Sequence, residues 1–487
     1  MMVRMQDLGL GPTPAWAGAA SGVQVRGVTS DSRLASAGAL FVAIQGQFGD
    51  GRGFIADAVS RGAVAVLAAP GTQWPPGVPP RPLIEDPEPR RRLAQIAAVL
   101  AGAQPNTLVA VTGTNGKTSV VEFLRQIWAL SGRRAASLGT LGVVAPGMAG
   151  GPGLTTPDPV ALSAALAGLA RDGVQYAALE ASSHGLDQFR LDGLRLAAGA
   201  FTNLTRDHLD YHHTVSNYRT AKLRLFAELL PAGAPAIAST ALDAETMAAL
   251  RVIAARRRLD LRTVGDDGGF LRLLGATPLP DGQLLDVLHD GARHRIETRL
   301  PGRFQADNML VAAGLALASG VANALDLLAS LTGVRGRMEL VARLPNGAAV
   351  YVDYAHTPDA LERLLGALRP HTQGCLHIVF GAGGDRDAGK RPLMGAVAAR
   401  LADRVIVTDD NPRGENPAAI RAAVLAGCPG GVAVAGRDAA IAVALDDLRA
   451  GDVLVVAGKG HEQGQTIGAS VLAFDDVQVV RRLAGVA

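Results

Sequence analysis

One stretch does most to restrict the folds open to this chain. Residues 107–130 read TLVAV, then TGTNGKT, then SVVEFLRQIWAL: an apolar strand, a glycine loop and an amphipathic helix. In such a unit the glycines let backbone N–H groups approach a ligand, and the helix start favours negative charge. Gly113, Thr114, Asn115, Gly116, Lys117, Thr118 and Ser119 thus form a candidate triphosphate cradle. Lys117 would reach the β- and γ-phosphates, and the Thr118 hydroxyl would hold Mg²⁺. The usual P-loop spacing would need glycine at Val111, so this is a shorter G-x-x-G-K-T form. An isolated match could equally be a glycine turn with an exposed lysine; the strand before it and the helix after it favour nucleotide.

The polar ends of further strands extend this reading. Apolar runs at Tyr176–Leu179 and Ala197–Phe201 stop abruptly in polar residues. In an open parallel sheet such ends converge on one crevice. A second set of β–loop–α units follows residue 341, with strands expected at Ala349–Val352, Leu376–Phe380, Arg404–Thr408 and Val453–Ala457. These run into DYAHTPD, GAGGDRD, DDNPRGENP and GKGHEQ. Before the phosphate loop lie a small α/β unit from Val23 to Ala69, a Pro-rich loop at 71–82 and a helix over Pro89–Ala101.

The 487 residues exceed one ordinary core and suggest three domains at about 150 residues each. The expected domains are 1–104, 105–335 and 336–487, all of α/β class: a small substrate-binding domain, a central parallel-sheet P-loop ATPase domain and a Rossmann-like C-terminal domain. Aromatics are 4% of residues, so Ala, Val, Leu and Ile must build the layers. A net charge of +3, with no basic run interleaved with aromatics, gives no nucleic-acid surface. Cys375 and Cys428 lie far apart and in no C-x-x-C spacing, which points to free thiols in a reducing cytoplasm rather than zinc or redox chemistry. No apolar signal segment or membrane span is legible, so a cytoplasmic protein without membrane insertion is expected.

The short loop with Thr-Asn inside it resembles that of the Mur ligase superfamily, which includes the folylpolyglutamate synthases. The resemblance continues through LEASSHGLDQFR at 179–190, FTNLTRDHLDYH at 201–212, GRFQADN at 302–308 and the four C-terminal loops, covering essentially the whole chain. It implies ATP as co-substrate, two Mg²⁺ ions, and amide formation through an acyl phosphate. By the same resemblance Lys117, Glu180, His208 and Lys222 are catalytic. Thr118, Glu180, His208 and Lys222 are metal ligands, Lys222 after conversion by CO₂ to an N6-carboxylysine. A lysine on an amphipathic helix is ordinarily solvated, and carbamylation needs a depressed pKa. Asn308 matches the adenine contact, and Arg337 and Asp353 match residues near the phosphates and ribose.

The resemblance also bears on the other substrates. Ser30, Ser32, Gln47, Phe48 and Gly49 match loops that hold a UDP end. Thr155, Thr156, Ser182, Gln188 and Arg190 resemble a muramoyl-dipeptide site. Thr156 read alone is a possible helix cap. Asp410, Asn411, Pro412 and Arg413 resemble the signature of members that add meso-diaminopimelate, whose distal carboxylate suits an Arg fork. Arg386, Gly458 and Glu462 match further contacts, Glu462 facing the distal ammonium. Arg386 and Arg413 could instead be surface ion-pair partners. The implied partners are small molecules, UDP-MurNAc-L-Ala-D-Glu, meso-diaminopimelate and ATP, acting on a monomer. A folylpolyglutamate synthase would leave DNPR unexplained, and a P-loop switch would hydrolyse ATP without either other substrate.

Overall fold

The computed structural model describes residues 3–8, 22–46, 49–151, 153–279 and 282–486. They form two compact units: residues 1–117, 124–263 and 314–322 in the first, and 118–123, 264–313 and 323–487 in the second.

The first unit opens with a parallel sheet of β1 (Gly27–Thr29), β2 (Ala39–Ala43), β3 (Ala65–Ala68) and β4 (Leu83–Glu85). β2 and β3 are buried along their whole length, as strands covered on both faces must be. Helix α1 (Pro89–Ala101) starts on a proline, whose missing N–H costs nothing in the first turn, and turns out at Gly102, φ +75°.

The larger sheet of this unit places β5 (Thr107–Thr112) centrally. Parallel to it run β6 (Ala135–Gly139), β7 (Tyr176–Glu180), β8 (Ala198–Phe201) and β9 (Pro235–Ser239), in the order β6-β7-β5-β8-β9. Because β7 and β8 flank β5, the loops leaving all three strands open on one crevice, where such sheets bind ligands. Helix α2 (Lys117–Leu130) follows β5 directly. Glu180 is the last residue of β7 rather than a residue beyond it.

In the second unit three antiparallel strands span Leu271–Leu279, Gly282–His289 and Ala292–Thr298. A six-stranded sheet then runs in the order β10-β11-β14-β12-β13 and ends on a short edge strand at Val432–Ala433, with β10 (Glu339–Arg343), β11 (Ala349–Asp353), β12 (Leu376–Phe380), β13 (Arg404–Val407) and β14 (Val453–Ala457). Only the β10–β11 pair is antiparallel. β12 and β14 have the limits that their apolar runs give. No helix of the described residues is long and apolar enough to cross a membrane.

At the amino ends of β12 and β14 the fold makes a grouping that linear spacing hides. Cys375, His377 and Asp452 bring ligand atoms within 4.8 Å of one another, and both cysteines are free thiols. Asp452 already accepts from the N–H groups of Cys375 at 2.7 Å and Arg449 at 2.8 Å, so it acts as a cap on the strand ends.

Candidate active site

The phosphate loop is shaped by two glycines. Gly113 has φ +146° and Gly116 φ +86°, and a Cβ at Gly113 would collide with the Thr202 hydroxyl. The loop is held from β8: Thr114 N–H donates to Asn203 O and Asn115 N–H to Asn203 Oδ1, each at 2.9 Å. Thr202 Oγ1 donates to Asn115 O at 2.6 Å. Lys117 folds back so that its Nζ donates to Gly113 O and Thr114 O, both at 2.9 Å. Thr118 and Ser119 are buried.

Lys222, on helix α3 (Val215–Arg224), is the residue whose environment departs most from the solvated reading. It is 1% exposed, donates from Nζ to Gly113 O at 2.8 Å, and lies 4.5 Å from the centroid of the Tyr218 ring. Burial, and then the nearby charge of Lys117, hold its amine well below the ordinary lysine pKa. Tyr218 is itself buried and meets the Thr114 hydroxyl at 3.1 Å.

Glu180 is 2% exposed, and its carboxylate accepts from Thr140 N–H at 2.8 Å and Thr140 Oγ1 at 3.2 Å. Both donors are neutral. Gly139 leaves the room that this carboxylate occupies, because a Cβ there would overlap it. His208 has φ +52° and stands half exposed beside Asp207, with its ring 5.0 Å from that of His184. Burial first, then His208 and His212, lower the His184 pKa to about 4.

Several dipeptide-site candidates form one bonded chain. Thr156 Oγ1 donates to Glu180 O at 2.8 Å and accepts from Ser182 N–H at 3.0 Å. It is not the helix cap; Asp158 fills that position for the helix Pro159–Arg171. Thr155 meets the Thr140 hydroxyl at 3.0 Å. Ser182 accepts from Gly185 N–H, and Arg190 donates to Thr156 O at 2.5 Å and Gln188 Oε1 at 2.8 Å. Burial pulls the Arg190 guanidinium below its usual pKa. In the amino-terminal sheet, exposed Ser30 and buried Ser32 sit just past β1, where Ser32 bonds Asp57. Gly49 O accepts from Gly46 N–H at 2.7 Å; Gln47 and Phe48 lie outside the described residues.

In the second unit, Asn308 is 6% exposed and donates to Gln305 Oε1 at 3.1 Å. Arg337 stacks 4.7 Å over the Tyr354 ring and donates to Thr118 Oγ1 at 3.4 Å. Asp353 commits one oxygen to Met338 N–H at 2.6 Å and the other to Ala355 N–H at 2.7 Å, while burial raises its pKa against the opposing pull of Arg337.

The carboxyl ends of β12, β13 and β14 bring the remaining candidates together. Asn411 Nδ2 donates to Glu462 Oε2 at 3.0 Å, and Gly384 N–H donates to Asn411 O at 2.9 Å. Gly458, φ +117°, is required: a Cβ there would stand 2.9 Å from Asp410 Oδ2. Arg413 has φ +49°, uncommon for a side chain of its size, and Pro412 precedes it. Its N–H donates to Thr466 O at 3.1 Å and its Nη1 to Gly384 O at 2.8 Å. Arg413 therefore lies across the loop after β12 and, among the described residues, pairs with no carboxylate; Arg386 is exposed on that loop. Beneath them Arg437 and Asp476 form an ion pair in which both side chains are 0% exposed. Arg437 also donates to Ala457 O at 2.9 Å, tying the end of β14 in place. Lys459, Arg437, Tyr218 and Asn203 are functional-site neighbours that the sequence reading leaves without a role. Asn203 had a legible signal, a polar residue just past a buried strand.

An α/β enzyme that grips a nucleotide through a shortened P-loop is the class this geometry defines. The chain belongs to the Mur ligase family, and it is an ATP-dependent ligase. The family's catalytic domain matches residues 24–100, its middle domain 111–316 and its glutamate ligase domain 336–460. The UDP-N-acetylmuramoyl-L-alanyl-D-glutamate–2,6-diaminopimelate ligase of Mesorhizobium japonicum is 52% identical, with 98% of each chain covered. The enzyme of the same name from Rhizobium meliloti is 51% identical over 96% of each. A solved structure titled as that ligase shares 31% identity and a TM-score of 0.73, covering 100% of this chain and 99% of the other.

Proposed function

We propose that this chain joins meso-2,6-diaminopimelate to UDP-N-acetylmuramoyl-L-alanyl-D-glutamate at the expense of ATP, giving the UDP-muramoyl tripeptide for peptidoglycan synthesis. The observation that carries the choice of amino acid is the network joining the loops after β12, β13 and β14, in which Asn411 bonds Glu462, Gly384 bonds Asn411 and Arg413 bonds Gly384. It offers a guanidinium and a carboxylate to a substrate bearing a distal carboxylate and a distal ammonium. Lysine lacks that carboxylate and would leave the Arg unpaired.

A substrate carboxylate oxygen attacks the γ-phosphorus and ADP leaves. The amine nitrogen then attacks the acyl carbon, phosphate departs, and the nitrogen loses a proton. The chain's part is positioning and charge neutralisation. The loop N–H groups and Lys117 hold the phosphates, with Asn308, Arg337 and Asp353 on the rest of ATP. Ser30, Ser32, Gln47, Phe48 and Gly49 hold the UDP end, and Thr155, Thr156, Ser182, Gln188 and Arg190 the dipeptide.

A buried carboxylate held by neutral donors suits a cation, and the oxygens of Glu180 and Thr118 are hard donors of the kind Mg²⁺ takes. His208 and Lys222 would serve a second ion. An ammonium cannot ligate a cation, so Lys222 fits only as the carbamate, formed when its neutral amine attacks CO₂ and releases a proton. Charge neutralisation on the transferring phosphoryl is what Mg²⁺ supplies when bound. The reading assigns UDP-muramoyl binding to 1–104, ATP to 105–335 and the amino acid to 336–487, in a cytoplasmic monomer.

The test is an amino-acid panel with ATP and the UDP-muramoyl-dipeptide, products identified by mass. Tripeptide should form with diaminopimelate and depend on both other substrates. Equal turnover with lysine would sink the specificity, and phosphate release without the dipeptide or amino acid would sink the ligase.

A further inference from the structure

Lys459 lies between Gly458 and Glu462, yet it is 0% exposed and so cannot itself meet a substrate. Its Nζ donates to Gly464 O at 2.7 Å, Asn411 Oδ1 at 3.0 Å and Glu462 Oε2 at 3.3 Å, and stands 3.7 Å from Asp410 Oδ1. Three donors thus find three acceptors, as a buried ammonium requires. Two of those acceptors belong to side chains of the amine-substrate cluster.

The consequence is directional. Asn411 Oδ1 accepts from both Lys459 Nζ and, at 2.9 Å, Thr466 N–H, which turns the amide so that Nδ2 faces Glu462. Glu462 then receives both of its bonds, from Asn411 and Lys459, on Oε2. Among the described residues Oε1 takes no hydrogen bond, which leaves that oxygen for an incoming ammonium. We propose that Lys459 is a positioning residue for amino-acid selection: its buried ammonium fixes Asn411 and Glu462 in the one arrangement that presents Glu462 Oε1 to the distal ammonium of diaminopimelate. The inference rests on the diaminopimelate reading above.

A merely structural lysine makes a different prediction. A methionine has similar reach and could fill the space, and apolar replacement of a buried ionic group often leaves stability little changed. In the full-length enzyme, Lys459→Met should raise the KM for diaminopimelate about tenfold, the scale of one lost charge-assisted hydrogen bond. The KM values for ATP and the dipeptide should stay at wild type, kcat should change less than KM, and the preference for diaminopimelate over lysine should narrow. Lys459→Arg keeps the charge but not the compact three-donor head, and should fall between the two. Wild-type KM and selectivity in Lys459→Met would overturn the proposal. So would a parallel rise in all three KM values with a lowered melting temperature, or failure of both variants to fold, since the ammonium would then serve stability alone. If the unaltered enzyme forms no product with diaminopimelate, the functional reading falls and this inference with it; turnover in the unaltered enzyme with an unmoved variant sinks the Lys459 role only.

Discussion

Two buried lysines, Lys222 beside the phosphate loop and Lys459 in the loop after β14, are housed in opposite ways. Lys459 has three oxygen acceptors and a carboxylate at 3.7 Å. Lys222 has one carbonyl, shared with Lys117, and the face of Tyr218. The first ammonium is compensated and its geometry is fixed. The second is not, and burial together with a like charge pushes its amine towards the neutral, nucleophilic form. The same contrast holds for the anions: Glu180 is buried against neutral donors, whereas Asp476 is locked to Arg437. The surroundings of the phosphate loop leave buried charge uncompensated, whereas the fully buried charges behind the C-terminal strand ends are partnered within the fold and hold the loops there in place.

The strongest way to break this contrast is at the loop itself. Lys117→Ala should lower kcat about a thousandfold, as removal of a transition-state donor does, with binding of the dipeptide retained by calorimetry. Lys222→Ala should lower it about a hundredfold, and short carboxylic acids should restore part of the rate if they take the place of the proposed carbamate. An unchanged rate in Lys222→Ala would mean that its buried, uncompensated amine has no chemical use. On the other side of the comparison, Arg413→Ala should raise the KM for diaminopimelate about tenfold or more with ATP affinity unaltered. A matching loss of ATP affinity would show that the amino-acid loops are not a separate module.

Legibility follows the same division. The phosphate loop could be read because its glycines, lysine and threonine are contiguous and its flanking strand and helix are strongly patterned. What holds that loop could not, since Asn203 and Tyr218 lie 88 and 104 residues from their partners Asn115 and Thr114. Lys459 and Arg437 bond across 48 and 39 residues, and nothing local distinguishes either from a surface cation. Thr156 has the residue type of a cap, but Asp158, two positions on, takes the N–H groups of Val160 and Ala161. The antiparallel strands over 271–298 are masked in the sequence by Gly275 and Pro278, which interrupt the alternation, and the register shifts between Leu273 and Gly275. The motifs shared with the family named the candidate residues, but not the network that orients them.

The smallest expected effect tests whether the loop after β14 tolerates an added charge. Burial, and then the charges of Arg337 and Arg335, lower the His461 pKa from 6.5 to about 4. The folded protein therefore keeps this imidazole neutral while the unfolded chain protonates it. As pH falls from about 6.5 towards 4 the unfolded state binds more protons, so the stability that His461 contributes at neutral pH is progressively lost. For a partly exposed ring the loss is on the order of 1 kcal/mol after solvent screening. Urea midpoints measured between pH 7 and about pH 4 should fall less steeply in His461→Gln than in the unaltered chain. Parallel slopes would mean that the ring is protonated in the fold despite its two arginine neighbours, and that this region holds an uncompensated charge after all.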